Sequence, residues 1–143
     1  MKNIIIVFTL IISSIGTSQT VSNDIKSALQ SDDDEALSKL ITSHNINTCY
    51  EIKDATYTLL AISIKLEAKA CFKVLLEKKA DLEKTCTSKT PLMYAVKYGN
   101  LKMAKALVKS GANVKSENSS GRTALDYAKR YEQKELQSYL ESL

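Results

Sequence analysis

The chain has 143 residues, of which 44% are hydrophobic and 25% charged, and its formal net charge is +4. This is room for one domain of ordinary soluble composition, and so mild a charge argues against a nucleic-acid binder. With no Trp, one Pro and four Gly, the chain has too few breakers for a loop-rich or all-β fold and favours helices.

The first stretch stands apart from the rest. Lys2 supplies a positive start, Ile4 to Ile12 form an apolar run, and small residues follow as far as Ser18. That layout predicts a secretory signal peptide over residues 1–18, cleaved near Ser18 and Gln19, with Gly16 and Ser18 at the −3 and −1 sites. A spanning helix needs about 20 apolar residues, so a retained anchor is the weaker alternative and no stable membrane insertion is expected after cleavage. No Cys lies beside the site to suggest a lipid anchor. The expected location is outside the cytoplasm, in a periplasm or secreted, and the Lys-, Ile- and Asn-rich composition looks bacterial. Without Lys2 the chain keeps 19 basic and 16 acidic residues.

A first helical pair is predicted over about 22–50. Ile25 and Ala28 begin it, Ala36, Leu37, Leu40 and Ile41 make its second helix, and Asn45-Ile46-Asn47 close it. The acidic run Asp32 to Glu35 is read as charge loaded at the N-terminus of that second helix. As a calcium site it is disfavoured, because consecutive acids on a helical turn point in different directions. His44, the only histidine, reads as a solvated turn residue, since a catalytic base needs an oriented nucleophile and no motif supplies one. No glycine-rich phosphate loop is present. The chain is therefore expected to be non-enzymatic, with no metal and no cofactor.

The second pair, about 54–86, carries Thr58, Leu60, Leu75-Leu76 and Lys79-Ala80-Asp81-Leu82. The third, about 87–119, is the clearest. Thr90 is a helix cap, Pro91 suits the first helical position, where a missing N–H costs nothing, and Leu92 and Ala95 face inward. Gly99 ends that helix, Met103, Ala104, Leu107 and Val108 form a second apolar face, and Gly111 ends the second helix. The fourth pair, about 120–143, runs from Gly121-Arg122-Thr123 into Leu136, Tyr139 and Leu140. Acidic residues dominate 21–50, whereas 87–115 hold six lysines and no acid.

Thr90-Pro-Leu-Met-Tyr-Ala95 returns 33 residues later as Thr123-Ala-Leu-Asp-Tyr-Ala128. A fixed period in the thirties signals stacked supersecondary units rather than one globular core. The glycines at 99, 111 and 121 and the Thr-Pro-Leu triplet together resemble the ankyrin repeat over residues 19–143. The resemblance implies an all-α solenoid of about four helix-turn-helix repeats with short β-hairpin or loop excursions. Its departures are specific. Ala61, Met93 and Asp126 stand where the family has His, and Glu67 and Glu132 occupy inter-helix glycine positions, where a left-handed non-Gly residue costs roughly 1 kcal/mol. The end units read as polar caps.

What the resemblance implies for function is a concave groove, lined by first helices and excursion tips, that binds another protein. Carried over position by position, the groove residues are Lys65, Leu66, Lys97, Tyr98, Arg130 and Tyr131 at the ends of first helices, with Tyr57, Lys89 and Arg122 just before the capping threonines. A cationic, aromatic groove suits an acidic protein surface. Lys102, Lys105 and Lys109 fall on the convex side instead. The chain is expected to be a monomer that binds a partner outside the cytoplasm. An immunity or inhibitor role against a toxin or enzyme is the alternative, and a thiol-redox role a remote one, given that no Cys-x-x-Cys exists. Adjacent excursions stack in this family, so Cys49 and Cys86 form a candidate disulfide in an oxidising compartment. The longer first excursion leaves open whether their Cα atoms come within about 7 Å. Cys71 aligns with Met103 and reads as core.

Overall fold

A computed structural model describes residues 19–143, so the signal-peptide expectation for residues 1–18 lies outside the described residues. Eight helices follow one another as four pairs: α1 (Asn23–Ser31) with α2 (Asp34–Leu40), α3 (Leu59–Lys65) with α4 (Lys69–Glu77), α5 (Pro91–Lys97) with α6 (Leu101–Lys109), and α7 (Ala124–Arg130) with α8 (Lys134–Glu141). First helices pack on first helices, α3 on α5 and α5 on α7. Second helices follow, α2 on α4 and α6 on α8. The result is a solenoid of helix-turn-helix units.

The first helices after α1 are only seven residues long, too short to persist alone in water. Caps and stacking hold them. The hydroxyls of Thr58, Thr90 and Thr123 accept the backbone N–H of Ala61, Met93 and Asp126 at 3.2, 3.3 and 3.3 Å. In α3 every residue from Leu59 to Ile64 is buried, and in α5 every residue from Pro91 to Val96. A helix buried on all sides is an interior element. At the ends of the stack, α1 buries only Ile25, Ala28 and Leu29, and α7 only Ala124, Tyr127 and Ala128. Their open faces are polar, as a solenoid's end units require.

Each inter-helix turn passes through one left-handed residue: Asp32 (φ 53°), Glu67 (φ 54°), Gly99 (φ 68°) and Glu132 (φ 53°). Only the third unit has glycine there, and a Cβ on Gly99 would stand 3.0 Å from the Gln133 side chain. The family's missing histidine has two outcomes. In the fourth unit Asp126 replaces it, taking both the amide and the hydroxyl of Thr123 at 2.8 Å in a reciprocal capping box. In the second and third units Ala61 and Met93 are apolar and buried, and only the threonine cap remains.

The excursions are not alike. Only the first builds a hairpin, β2 (Tyr50–Ile52) with β3 (Ala55–Tyr57), turning through left-handed Lys53. An additional strand, β1 (Gln19–Thr20), pairs parallel to β2, with Gln19 opposite Tyr50. The sequence pattern carries no sign of it. Later excursions start from left-handed Lys79 and Gly111. The first starts instead from extended Ile41. Asn45 closes that helix end, accepting the amide of Thr42 and donating to the carbonyl of Leu40, both at 2.8 Å.

Neighbouring excursions are tied by side chains. Asn47 accepts the amide of Asp81 at 2.8 Å. Glu83 accepts the amide of Asn113 at 2.8 Å and the hydroxyl of Ser116 at 2.6 Å. The Thr87 hydroxyl accepts the amide of Thr56 and donates to its carbonyl. Cys49 and Cys86 are joined by a disulfide with Cα atoms 5.5 Å apart. The longer first excursion is thus taken up before Cys49, in the turn around Asn45, and does not shift the cysteines out of register.

Candidate functional site

The side of the stack formed by the first helices is organised by tyrosines. The ring of Tyr94, on α5, lies 5.6 Å from that of Tyr57 and 6.4 Å from that of Tyr98. One unit further on, Tyr127 stacks on Tyr131 at 6.1 Å. Each stacked pair is spaced i, i+4 along a first helix, which puts both rings on one face.

Lysines cover these rings. The ammonium of Lys65 sits 4.7 Å from the centre of Tyr57, and that of Lys97 5.5 Å from Tyr98. Lys89 bridges two units, 5.9 Å from Tyr94 and 5.5 Å from Tyr127. A continuous band therefore runs from Lys65 through Tyr57 and Tyr94 to Lys89, Tyr127 and Tyr131. Each cation–π contact contributes roughly 0.5–1 kcal/mol at an exposed site, enough to orient the amine. A ring face does not cancel a formal charge as a carboxylate would. Among the described residues the ion pairs are Glu35–Lys39, Lys73–Glu77 and Lys129–Glu141, and none involves a cation of the band.

Tyr94 is buried. Burial, with Tyr57, Tyr98 and Tyr127 around it, pushes its phenol well above the ordinary tyrosine value, so it stays a neutral donor. The Tyr127 hydroxyl accepts the side-chain amide of Asn118 at 3.0 Å, which leaves its own proton free to donate.

Of the groove residues expected from the sequence, Tyr57, Lys65, Lys89, Lys97 and Tyr98 are brought together in this band, with Tyr131 joined through Tyr127. Arg122 and Arg130 are exposed and cover no ring of the band. Leu66, 46% exposed, lies beside Lys65 at the mouth of a cavity near the first unit. Tyr94 and Tyr127, the hubs, are absent from the expected set. The signal was present, since Tyr94 and Tyr98 recur as Tyr127 and Tyr131 at the same spacing. On α6, expected to lie on the convex side, Lys102 and Lys109 are exposed, while Lys105 covers Tyr139 at 5.3 Å.

The acidic run divides its work. Asp33 caps α2 through the amide of Ala36 at 2.8 Å, and Glu35 pairs with Lys39. Asp32 turns away and accepts the amides of Ala70 and Cys71, at 3.1 and 2.9 Å, at the start of α4. Among the described residues no cluster of three His, Cys, Asp or Glu side chains could hold a metal. His44 is an exposed turn residue beside the Ser43 hydroxyl. Cys71 is fully buried, and burial, reinforced by the Asp32 charge, pushes its thiol up to about 12. No helix among the described residues is long and apolar enough to cross a membrane.

Repeated short helix pairs, a shared left-handed turn and an aromatic face along the first helices define a stacked-repeat scaffold of the kind that presents a surface to another protein. The family model described as Ankyrin repeats (3 copies) matches residues 25–118 and 86–141. The chain belongs to the ankyrin repeat family, whose repeats are protein–protein interaction modules. A search of curated proteins finds no match to it.

Proposed function

We propose that this chain is an exported, non-enzymatic module that binds an acidic surface of a partner protein across its concave face. The observation that carries this reading is the band of lysines set on tyrosine rings, with no carboxylate paired to them among the described residues. Tyrosine supplies large contact area with few rotors to freeze, and arginine is the other usual anchor of interfaces. Tyr57, Lys89, Lys97, Tyr98, Arg122, Arg130 and Tyr131 are the contact set, with Tyr94 and Tyr127 as their support. Unneutralised amines favour capture of an acidic partner and raise its association rate. Export is supported by the leader-like sequence of residues 1–18 and by the cross-link between Cys49 and Cys86, which persists in oxidising compartments.

The test uses the protein as bait on its own envelope or secreted fraction, then measures affinity for the identified partner. Combined Lys97→Ala, Tyr98→Ala and Arg130→Ala should weaken binding by about tenfold or more. Combined Lys102→Ala and Lys109→Ala on the convex side should leave it unchanged. Equal affinity of the groove variant and the wild type would rule out this face.

A further inference from the structure

Where α3, α5 and α7 stack directly, α1 does not close against α3 in the same way. The gap is a cavity of about 420 Å³ bounded by β1, the β2–β3 hairpin, α1 and α3. That volume falls in the range of small-molecule sites. Its floor is apolar and buried, Leu29 and Ile62, and half-buried Val21 and Ile52 and exposed Leu66 complete the apolar lining.

Its charge is one-sided. Lys26 from α1, Lys53 from the hairpin turn and Lys65 from the end of α3 all line it, against the single carboxylate of Glu51. None of the three lysines forms an ion pair among the described residues. An apolar chamber with amines in excess at its edge favours two things together: an apolar body to exclude water, and an anion to face the ammonium groups. Neither alone suits it. A free inorganic anion leaves the floor wet, and a neutral hydrocarbon adds no anion to a rim of three amines and one carboxylate.

We propose that this cavity binds a small aliphatic carboxylate, its chain against Leu29 and Ile62 and its head toward Lys26 and Lys53. The site is separate from the tyrosine band except at Lys65, and it stands whether or not the concave face binds a protein.

The experiment is calorimetric titration of the purified protein with hexanoate, octanoate, decanoate and dodecanoate, each below micelle formation. Affinity should rise by about threefold to fourfold per methylene, then level off as the chamber fills. Nonyltrimethylammonium, with the same alkyl tail and the opposite charge, should bind about tenfold more weakly than decanoate or worse. Combined Lys26→Ala and Lys53→Gly should weaken decanoate binding by about threefold to tenfold. Lys53→Gly is chosen because Lys53 has a φ of 56°, so glycine removes the amine while relieving the backbone. Val21→Trp, which adds an indole to the lining, should abolish binding. Equal affinity for the anionic and cationic amphiphiles, affinity that climbs without levelling, or indifference to loss of both lysines would each overturn the assignment.

Discussion

The carboxylate of Asp32 accepts the backbone N–H of Cys71 at 2.9 Å, across 39 positions of sequence. With the second bond to Ala70, it caps a helix that has no side-chain cap of its own, since Ala68 stands at the N-cap of α4. One unit thus completes the next.

Asp32→Ala should therefore destabilise the fold by about 1–2 kcal/mol, the range of a lost N-cap. Burial alone raises the Asp32 pKa, but hydrogen bonds from the amides of Cys71, Ala70 and Lys69 outweigh it, and the carboxyl sits below its usual value. A group whose folded pKa is depressed stabilises above its unfolded value, near about 3.9, and loses that contribution as pH falls through the folded pKa. The stability gap between wild type and Asp32→Asn should be present at neutral pH and shrink below about pH 4. Urea melts at both pH values measure it.

Asp126 behaves similarly at the other end of the stack. Hydrogen bonds from the Thr123 amide and hydroxyl hold its carboxyl below the usual range. Asp126→Ala should cost about 1 kcal/mol and should loosen α7 and α8 first, which hydrogen exchange of the Tyr127 and Leu140 amides would report.

Left-handed backbone at Glu67 and Glu132 makes Glu67→Gly and Glu132→Gly stabilising, each by up to about 1 kcal/mol. Gly99→Ala should go the other way, because it adds both the left-handed penalty and a Cβ 3.0 Å from Gln133. Thermal melts of the three variants give the signs.

Loss of the Cys49–Cys86 bond, which joins residues 37 apart, should cost on the order of 4 kcal/mol by loop-closure entropy. Combined Cys49→Ser and Cys86→Ser measures it by denaturant titration. In the oxidised native protein Cys71 should resist thiol reagents until the fold opens. It is fully buried, its thiol is pushed up to about 12, and it donates to the Ala28 carbonyl.

The units were legible in the sequence because their signals are local. A threonine cap, a proline at the first helical position and a glycine at a turn act within one or two turns of chain, so the recurrence from Thr90 to Thr123 reported them directly. Glu67 and Glu132 could be placed in left-handed turns because Gly99 marks the same position. The cap from Asp32 to α4 was not legible. The acidic run looked like a local helix-end device, which Asp33 and Glu35 do serve. Nor was β1, whose two residues pair with a strand about thirty positions away and have no pattern of their own. In the candidate site the sequence supplied the cations and rim aromatics but not the hubs. Tyr94 sits inside a motif that also encodes helix packing, and only the three-dimensional stack brings it beside both Tyr57 and Lys89.

A stack whose units touch only their neighbours can in principle come apart from either end. The bond between Cys49 and Cys86 removes that symmetry. It ties the first excursion to the second, and the hairpin carrying Tyr57 is held between them, while α7 and α8 are held by caps, packing and one exposed ion pair, Lys129–Glu141, with no covalent tie. The stack therefore has a direction: opening should begin at the α7–α8 pair and travel toward α1 and α2. Under load or heat, the Tyr127–Tyr131 end of the band should be lost while the Tyr57 end remains in place.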